Sequence, residues 1–303
     1  MPESTPPAPL LYCTDTTTER FDPADLFDAA YLMRNAGKIA LLGIVLPPGD
    51  TRAFDTLAAR IPGTGIINYL RGADEIAARL QGTNEPVNVV ATANFAPLAE
   101  LLRTDRALFR AKVTRLFLVG GHANDYAAPR PQGERLPIDP RLQERHSERF
   151  APTGDARFTD TSERRALAEL LTSGEGVIWL PRDICLWRYA APQVLADGGA
   201  VCDFLLRELF YASLQATPDR FAAGDAPVLL SALPAFLLAT QPDPLGWLRL
   251  FRAVTARVDA DTTTGQVTSI TVKPDHPNLY AIVGIDGAGL GKVLTQTLRT
   301  RPL

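Results

Sequence analysis

Short apolar runs of strand length alternate with helical periodicity along most of the chain, and few folds accommodate that order. Leu10–Asp15 is strand-like, residues 23–35 are amphipathic, and Ile39–Leu46 is a continuous apolar run of the length of a strand buried on both faces. The alternation continues with a helix at 51–61, a short strand at 65–69, a helix at 73–81 and a strand at 87–93. A helical stretch follows from Asn94 to about Lys112, then a strand at 115–121, a helix at 162–173 and a strand at 177–181. Helices are further expected at about 193–215 and 231–239, strands at 253–260, 267–273 and 279–285, and a last helix near 289–299. Strands separated by helices form βαβ units. The predicted fold is therefore α/β, an open sheet of mostly parallel core strands with helices on both faces. Ligands bind such sheets at the carboxyl ends of the strands.

Composition narrows the function. With 31 Lys+Arg against 34 Asp+Glu the net charge is −3, which leaves no surplus for a phosphate backbone, so no nucleic-acid partner is expected. Residues 1–9 have neither a basic nor an apolar segment of signal type and read as a disordered lead-in to one domain over 10–303. No run reaches the roughly 18 apolar residues of a membrane span. The three cysteines, Cys13, Cys185 and Cys202, have no metal spacing and fit no disulfide scaffold, which makes the cytoplasm the expected compartment. Residues 122–157 interrupt the pattern as a long loop whose six arginines balance six acids, the signature of a solvated segment rather than a basic patch.

The densest polar feature lies between the first strand and the first helix, where Asp15, Glu19, Asp22, Asp25 and Asp28 place five acids in 14 positions. Capping explains part of it: Asp22 precedes Pro23 as an N-cap, and Asp25 falls in the first turn. Asp28 lies one turn later among Ala29, Ala30 and Leu32, where an unpaired carboxylate would be costly. Asp15, at the end of the strand, is positioned to face both. Convergent carboxylates there suit either a hard cation such as Ca²⁺ or acid/base chemistry. Spacing alone does not choose between those and structural capping.

The order of several segments resembles the inosine-uridine-preferring nucleoside hydrolases over nearly the whole length. Cys13-Thr-Asp15 stands for the Asp-x-Asp that opens the family motif, and Asp25 or Asp28 for its helix acids. Ala91-Thr92-Ala93-Asn94-Phe-Ala-Pro-Leu-Ala99 resembles the family's Ala-Thr-Gly-Pro-Leu-Thr-Asn-Leu-Ala, and Leu116–Gly121 its Val-Leu-Met-Gly-Gly strand. Ala156-Arg157-Phe158-Thr159, Val258-Asp-Ala and Asn278–Asp286 follow in register with later family segments. The resemblance implies a hydrolase of the N-glycosidic bond in a nucleoside or a related sugar-like small molecule. Asp15 and Asp28 would be catalytic. Asp15, Asp28 and Thr92 would hold Ca²⁺, and Asp25, Asp50, Asn94, Arg157, Thr159 and His122 would contact substrate. It also implies a homo-oligomer, dimer or tetramer.

The departures are as informative. Cys13 replaces an acid, Asp50 an asparagine, Arg157 a glutamate and Thr159 an asparagine, while Ser231-Ala232 stands where the family has His-Asp. Half of the implied calcium site and the leaving-group acid are thus gone. Arg157 raises the expectation of an anionic ligand, unless it pairs with Asp155 or Asp160. Two alternatives stand beside hydrolysis: a noncatalytic binding or scaffold protein, and a different biosynthetic reaction in which Cys13 takes part. The run Asp286-Gly287-Ala-Gly289-Leu-Gly291-Lys292 resembles a phosphate-binding loop, but Val293 replaces its Ser/Thr, so the glycines are expected to open the terminal helix.

Overall fold

The computed structural model describes residues 9–16, 22–36, 38–49, 51–121, 161–174, 176–216, 228–240 and 250–299. In chain order the elements are β1 (Leu10–Cys13), α1 (Pro23–Arg34), β2 (Leu41–Val45), α2 (Arg52–Ala58), β3 (Tyr69–Leu70), α3 (Ala73–Gln81) and β4 (Val87–Ala91). Then come α4 (Ala96–Thr104), α5 (Arg106–Lys112), β5 (Val113–Val119), α6 (Thr161–Thr172), β6 (Val177–Leu180), α7 (Arg182–Cys185) and β7 (Trp187–Tyr189). The remainder is α8 (Ala191–Leu195), α9 (Ala200–Ala216), β8 (Val228–Leu230), α10 (Leu233–Thr240), β9 (Phe251–Asp261), β10 (Gln266–Val272), β11 (Leu279–Ile285) and α11 (Gly287–Arg299).

Among the described residues nine strands form one sheet in the order β10-β9-β11-β6-β5-β4-β1-β2-β3, and β7 pairs with β8 in a small antiparallel ribbon. From β3 to β11 every neighbouring pair is parallel; at the other edge β9 is reversed, pairing antiparallel with both β11 and β10. This is the α/β open sheet expected from the apolar runs. Its central strands are buried end to end, as parallel strands covered on both faces must be: Leu10–Cys13 and Val87–Ala91 have no exposed residue.

The chain winds from β1 outward through β2 to β3, then returns to β4 on the other side of β1 and continues to β5 and β6. The switch point therefore lies between β1 and β4, and the crevice beyond their carboxyl ends is where such a sheet takes a ligand.

Several elements differ from expectation for local reasons. The helix foreseen from Asn94 to Lys112 is two, because Asp105 leaves helical geometry (φ −142°) and its carboxylate accepts from Leu108 N as the cap of α5. The helix foreseen over 193–215 breaks at Asp197 (φ 60°) and Gly199 (φ 88°) into α8 and α9. Helix α1 is not amphipathic; Ala24 to Met33 are all buried, and it is enclosed by α2, α9 and α11. Short α7, β7 and β8 carry too few residues to show a period. Trp179, Cys185 and Cys202 are wholly buried core residues. Among the described residues no helix is long and apolar enough to cross a membrane.

The terminal glycines have a packing explanation. Asp286 caps α11, accepting from Ala288 N and Gly289 N at 3.1 Å, and Gly287 and Gly291 face Trp187 and Tyr189 across the helix. A methyl at 291 would find ordinary contact, 3.5 Å from the Trp187 ring, while one at 289 would strike Leu250 and lie 2.7 Å from the Asp286 carboxylate. Gly291→Ala should therefore hold or raise the melting temperature, since alanine is favoured over glycine in a helix by about 0.5–1 kcal/mol. Gly289→Ala should lower it by disturbing the cap. Thermal denaturation of the two single variants checks the contrast; equal behaviour would remove this account of the glycines.

Candidate functional site

β1 delivers consecutive side chains to opposite faces of the sheet, so Tyr12 faces α1 and α10 while Cys13 faces the other side. The strand ends are held in line: Thr14 N donates to Val45 O at 3.0 Å and Thr92 N to Cys13 O at 2.9 Å. Across the loop, Asp22 caps α1 by accepting from Ala24 N at 2.8 Å, with Pro23 in the first turn, as the sequence predicts. This start sets Asp25 and Asp28, one turn apart, on the face of α1 turned toward Tyr12.

The Tyr12 hydroxyl lies between them, 3.4 Å from Asp25 Oδ1 and 3.5 Å from Asp28 Oδ2. Thr92 Oγ1 reaches the Tyr12 oxygen at 3.5 Å and Cys13 O at 3.2 Å, and Thr16 Oγ1 donates to Asp25 Oδ2. The Tyr12 ring meets Phe236 of α10 edge-on, with centroids 5.3 Å apart. Tyr12 is wholly buried, Asp25 is 1% exposed, and Asp28, Thr92 and Asp15 are buried as well.

Burial governs the ionisation. It pushes the Asp25 carboxyl up to about 7, helped by the negative charge of Asp15 and opposed by the Thr16 hydroxyl. Burial pushes Asp28 up to about 8 against the Tyr12 hydrogen bond, and it holds the Tyr12 phenol well above its ordinary range. Cys13 is fully buried, and desolvation followed by the charge of Glu163 pushes its thiol up, the state of an inert core thiol rather than a nucleophile.

The second strand end adds a strained residue. Asn94 has φ 54°, the left-handed region, and its Nδ2 is buried without a hydrogen-bond partner. Immediately after it, Glu163 of α6 accepts from Phe95 N at 2.6 Å and Ala96 N at 3.3 Å, closing the N-terminus of α4 from another element.

The arrangement was tested against Ca²⁺, which takes about 6–8 oxygens at about 2.3–2.6 Å. Among the described residues no group of three or more His, Cys, Asp or Glu could hold a metal ion. The Tyr12 and Thr16 hydroxyls lie on the carboxyls that would have to ligate it. Ala232, at the start of α10, is wholly buried and offers no side-chain oxygen. The described residues do not fit a calcium site.

Of the residues singled out from sequence, Asp15, Asp25, Asp28 and Thr92 come together at the ends of β1 and β4, and Asn94 stands two residues beyond Thr92. Asp50, His122, Arg157 and Thr159 lie outside the described residues. Sequence reasoning missed Tyr12 and Thr16. The signal for Tyr12 was available: a tyrosine in a strand buried on both faces must find a partner for its hydroxyl.

The chain matches no protein-family profile and no curated protein sequence. Solved structures do match. An inosine-guanosine nucleoside hydrolase aligns with TM-score 0.64 at 12% identity, over 97% of this chain and 100% of the other. The purine-preferring ribonucleoside hydrolase from Gardnerella vaginalis aligns with TM-score 0.60 at 13% identity, over 96% and 98%. The type III effector XopQ, in complex with adenosine diphosphate ribose, aligns with TM-score 0.55 at 16% identity, over 97% and 93%.

The chain has the nucleoside hydrolase fold.

Within this nucleoside-hydrolase-like chain the raised carboxyls make stability depend on pH. Their folded-state values of about 7 and about 8 exceed the unfolded Asp value of about 3.9. The folded protein thus binds more protons, and this contribution is complete below about pH 4 and lost as pH rises through about 7 to 8. The melting temperature should fall between about pH 5 and pH 8.5. Asp28→Asn, which removes one titrating group, should flatten the fall; an unchanged slope in that variant would dissociate the effect from Asp28.

Proposed function

We propose that this chain hydrolyses the N-glycosidic bond of a nucleoside or a related ribosyl metabolite. The observation that carries the reading is the gathering of Asp15, Asp25 and Asp28 at the switch point of a sheet that aligns with nucleoside hydrolases over nearly its full length. The reaction joins a water oxygen to the anomeric carbon as the bond to the base nitrogen breaks, through an oxocarbenium-like state. It needs a base for water, negative charge near the sugar and a proton for the departing nitrogen.

Asp15 is the base and the negative charge near the sugar in this proposal, and Asp25 and Asp28 contact sugar hydroxyls. A carboxyl with a pKa near 7 or 8 is also in the range for a general acid at neutral pH, which bears on a chain with Ser231 and Ala232 where a histidine and an aspartate would stand. No step is routed through a cation. We include a homo-oligomeric state in the cytoplasm in the same proposal.

Reducing-sugar release from a panel of purine and pyrimidine nucleosides tests the reading. Asp15→Asn should lower the rate at least about 100-fold with the fold intact by circular dichroism. Full activity in both Asp15→Asn and Asp28→Asn would refute the assignment, and no release from any nucleoside would favour a noncatalytic binding protein.

The adenosine diphosphate ribose complex of XopQ, together with Arg157 in place of a glutamate, favours a phosphorylated form of the ligand. Adenosine diphosphate ribose should then raise the melting temperature more than adenosine does, and Arg157→Ala should abolish the difference. Equal shifts in the wild type would remove the phosphate from the proposal.

A further inference from the structure

We propose that the Tyr12 hydroxyl takes the place of a cation between Asp25 and Asp28, so that the carboxyl cluster of this chain is complete without a divalent metal ion. The inference goes beyond the proposed function, because it concerns how the site is held together and is read without any substrate.

The argument is geometric. A divalent cation binds carboxylate oxygens through their lone pairs, and a hydroxyl proton directed at the same oxygens competes for them. Here three hydroxyls converge. Thr92 Oγ1, whose one proton has Cys13 O at 3.2 Å and the Tyr12 oxygen at 3.5 Å, borders the phenol; Tyr12 donates toward Asp25 Oδ1 or Asp28 Oδ2, and Thr16 to Asp25 Oδ2. Tyr12 cannot swing aside to admit an ion. Its backbone lies in β1 between β2 and β4, its ring is wholly buried, and Phe236 meets it edge-on at 5.3 Å.

No replacement oxygens come from α10. Its first turn presents Ala232, Leu233 and Ala235, all buried, and Phe236 fills the space beside the phenol. Tyr12 thereby acts as a positioning residue: its one proton can serve either carboxyl, and the shared donor keeps Asp25 and Asp28 facing each other as a bridging ion would.

Metal binding itself is the test, with full-length protein passed through chelator and then titrated with CaCl₂ by isothermal calorimetry. Calcium retained after equilibration in CaCl₂ and desalting is measured by plasma mass spectrometry. The wild type should show no binding tighter than about 1 mM and no stoichiometric calcium after desalting. Tyr12→Phe keeps the ring and removes the bridging proton; its melting temperature should fall, and millimolar CaCl₂ should restore part of the loss. The same CaCl₂ should leave the wild type and the double variant Tyr12→Phe/Asp28→Asn unmoved.

Stoichiometric calcium in the wild type, lost in Asp28→Asn, would overturn the proposal. So would a Tyr12→Phe protein with unaltered stability. Should Tyr12→Phe fail to fold, the wild-type titration decides alone. Nucleoside cleavage enters none of these readouts, so a failure here and a failure of the hydrolase reading are separable.

Discussion

A parallel strand at the centre of a two-sided sheet has no water to satisfy its polar side chains, and that constraint shapes the whole carboxyl edge of this protein. β1 is such a strand, and it carries a tyrosine. Its hydroxyl, buried with the ring, is satisfied by carboxyls delivered from α1, and the position of α1 in turn follows from a cap at Asp22 and the proline after it. Two carboxyls brought into a dry space are themselves costly, and the response is protonation, with both groups shifted toward neutrality. The phenol and the acids thus require one another.

The architecture was legible because parallel strands buried on both faces write themselves as uninterrupted apolar runs. Leu41–Val45 and Val87–Ala91 sit within the runs that announce them, and Val113–Val119 overlaps the run at 115–121. Helix interruptions were not legible in the same way. Asp105 interrupts a helical period that continues across it, whereas Asp197-Gly198-Gly199 carries a turn signal in the sequence that overrides the period on either side. The ribbon of β7 and β8 joins three-residue strands far apart in sequence, a pairing that no local pattern encodes.

The site was half legible for a related reason. Acids crowded between a strand and a helix stand out in any reading, and Asp15, Asp25, Asp28 and Thr92 do converge. What spacing could not convey is the identity of the group in their midst. A cation and a hydroxyl donor both satisfy two facing carboxylates, and the choice between them depends on which way the residue before Cys13 points. Likeness of fold does not settle it either, since a shared sheet order leaves the chemistry at its edge free to differ.

Glu163 has a consequence of another kind. The chain departs from the carboxyl edge after Gly121, whose carbonyl accepts from Arg182 N at 2.7 Å, and it returns to that edge at α6, where Glu163 is fastened to Phe95 and Ala96. Glu163 thereby ties the start of α6 to the turn that holds Asn94. A displacement of either α4 or α6 is then transmitted to that turn, so two helices far apart in sequence move this part of the rim together.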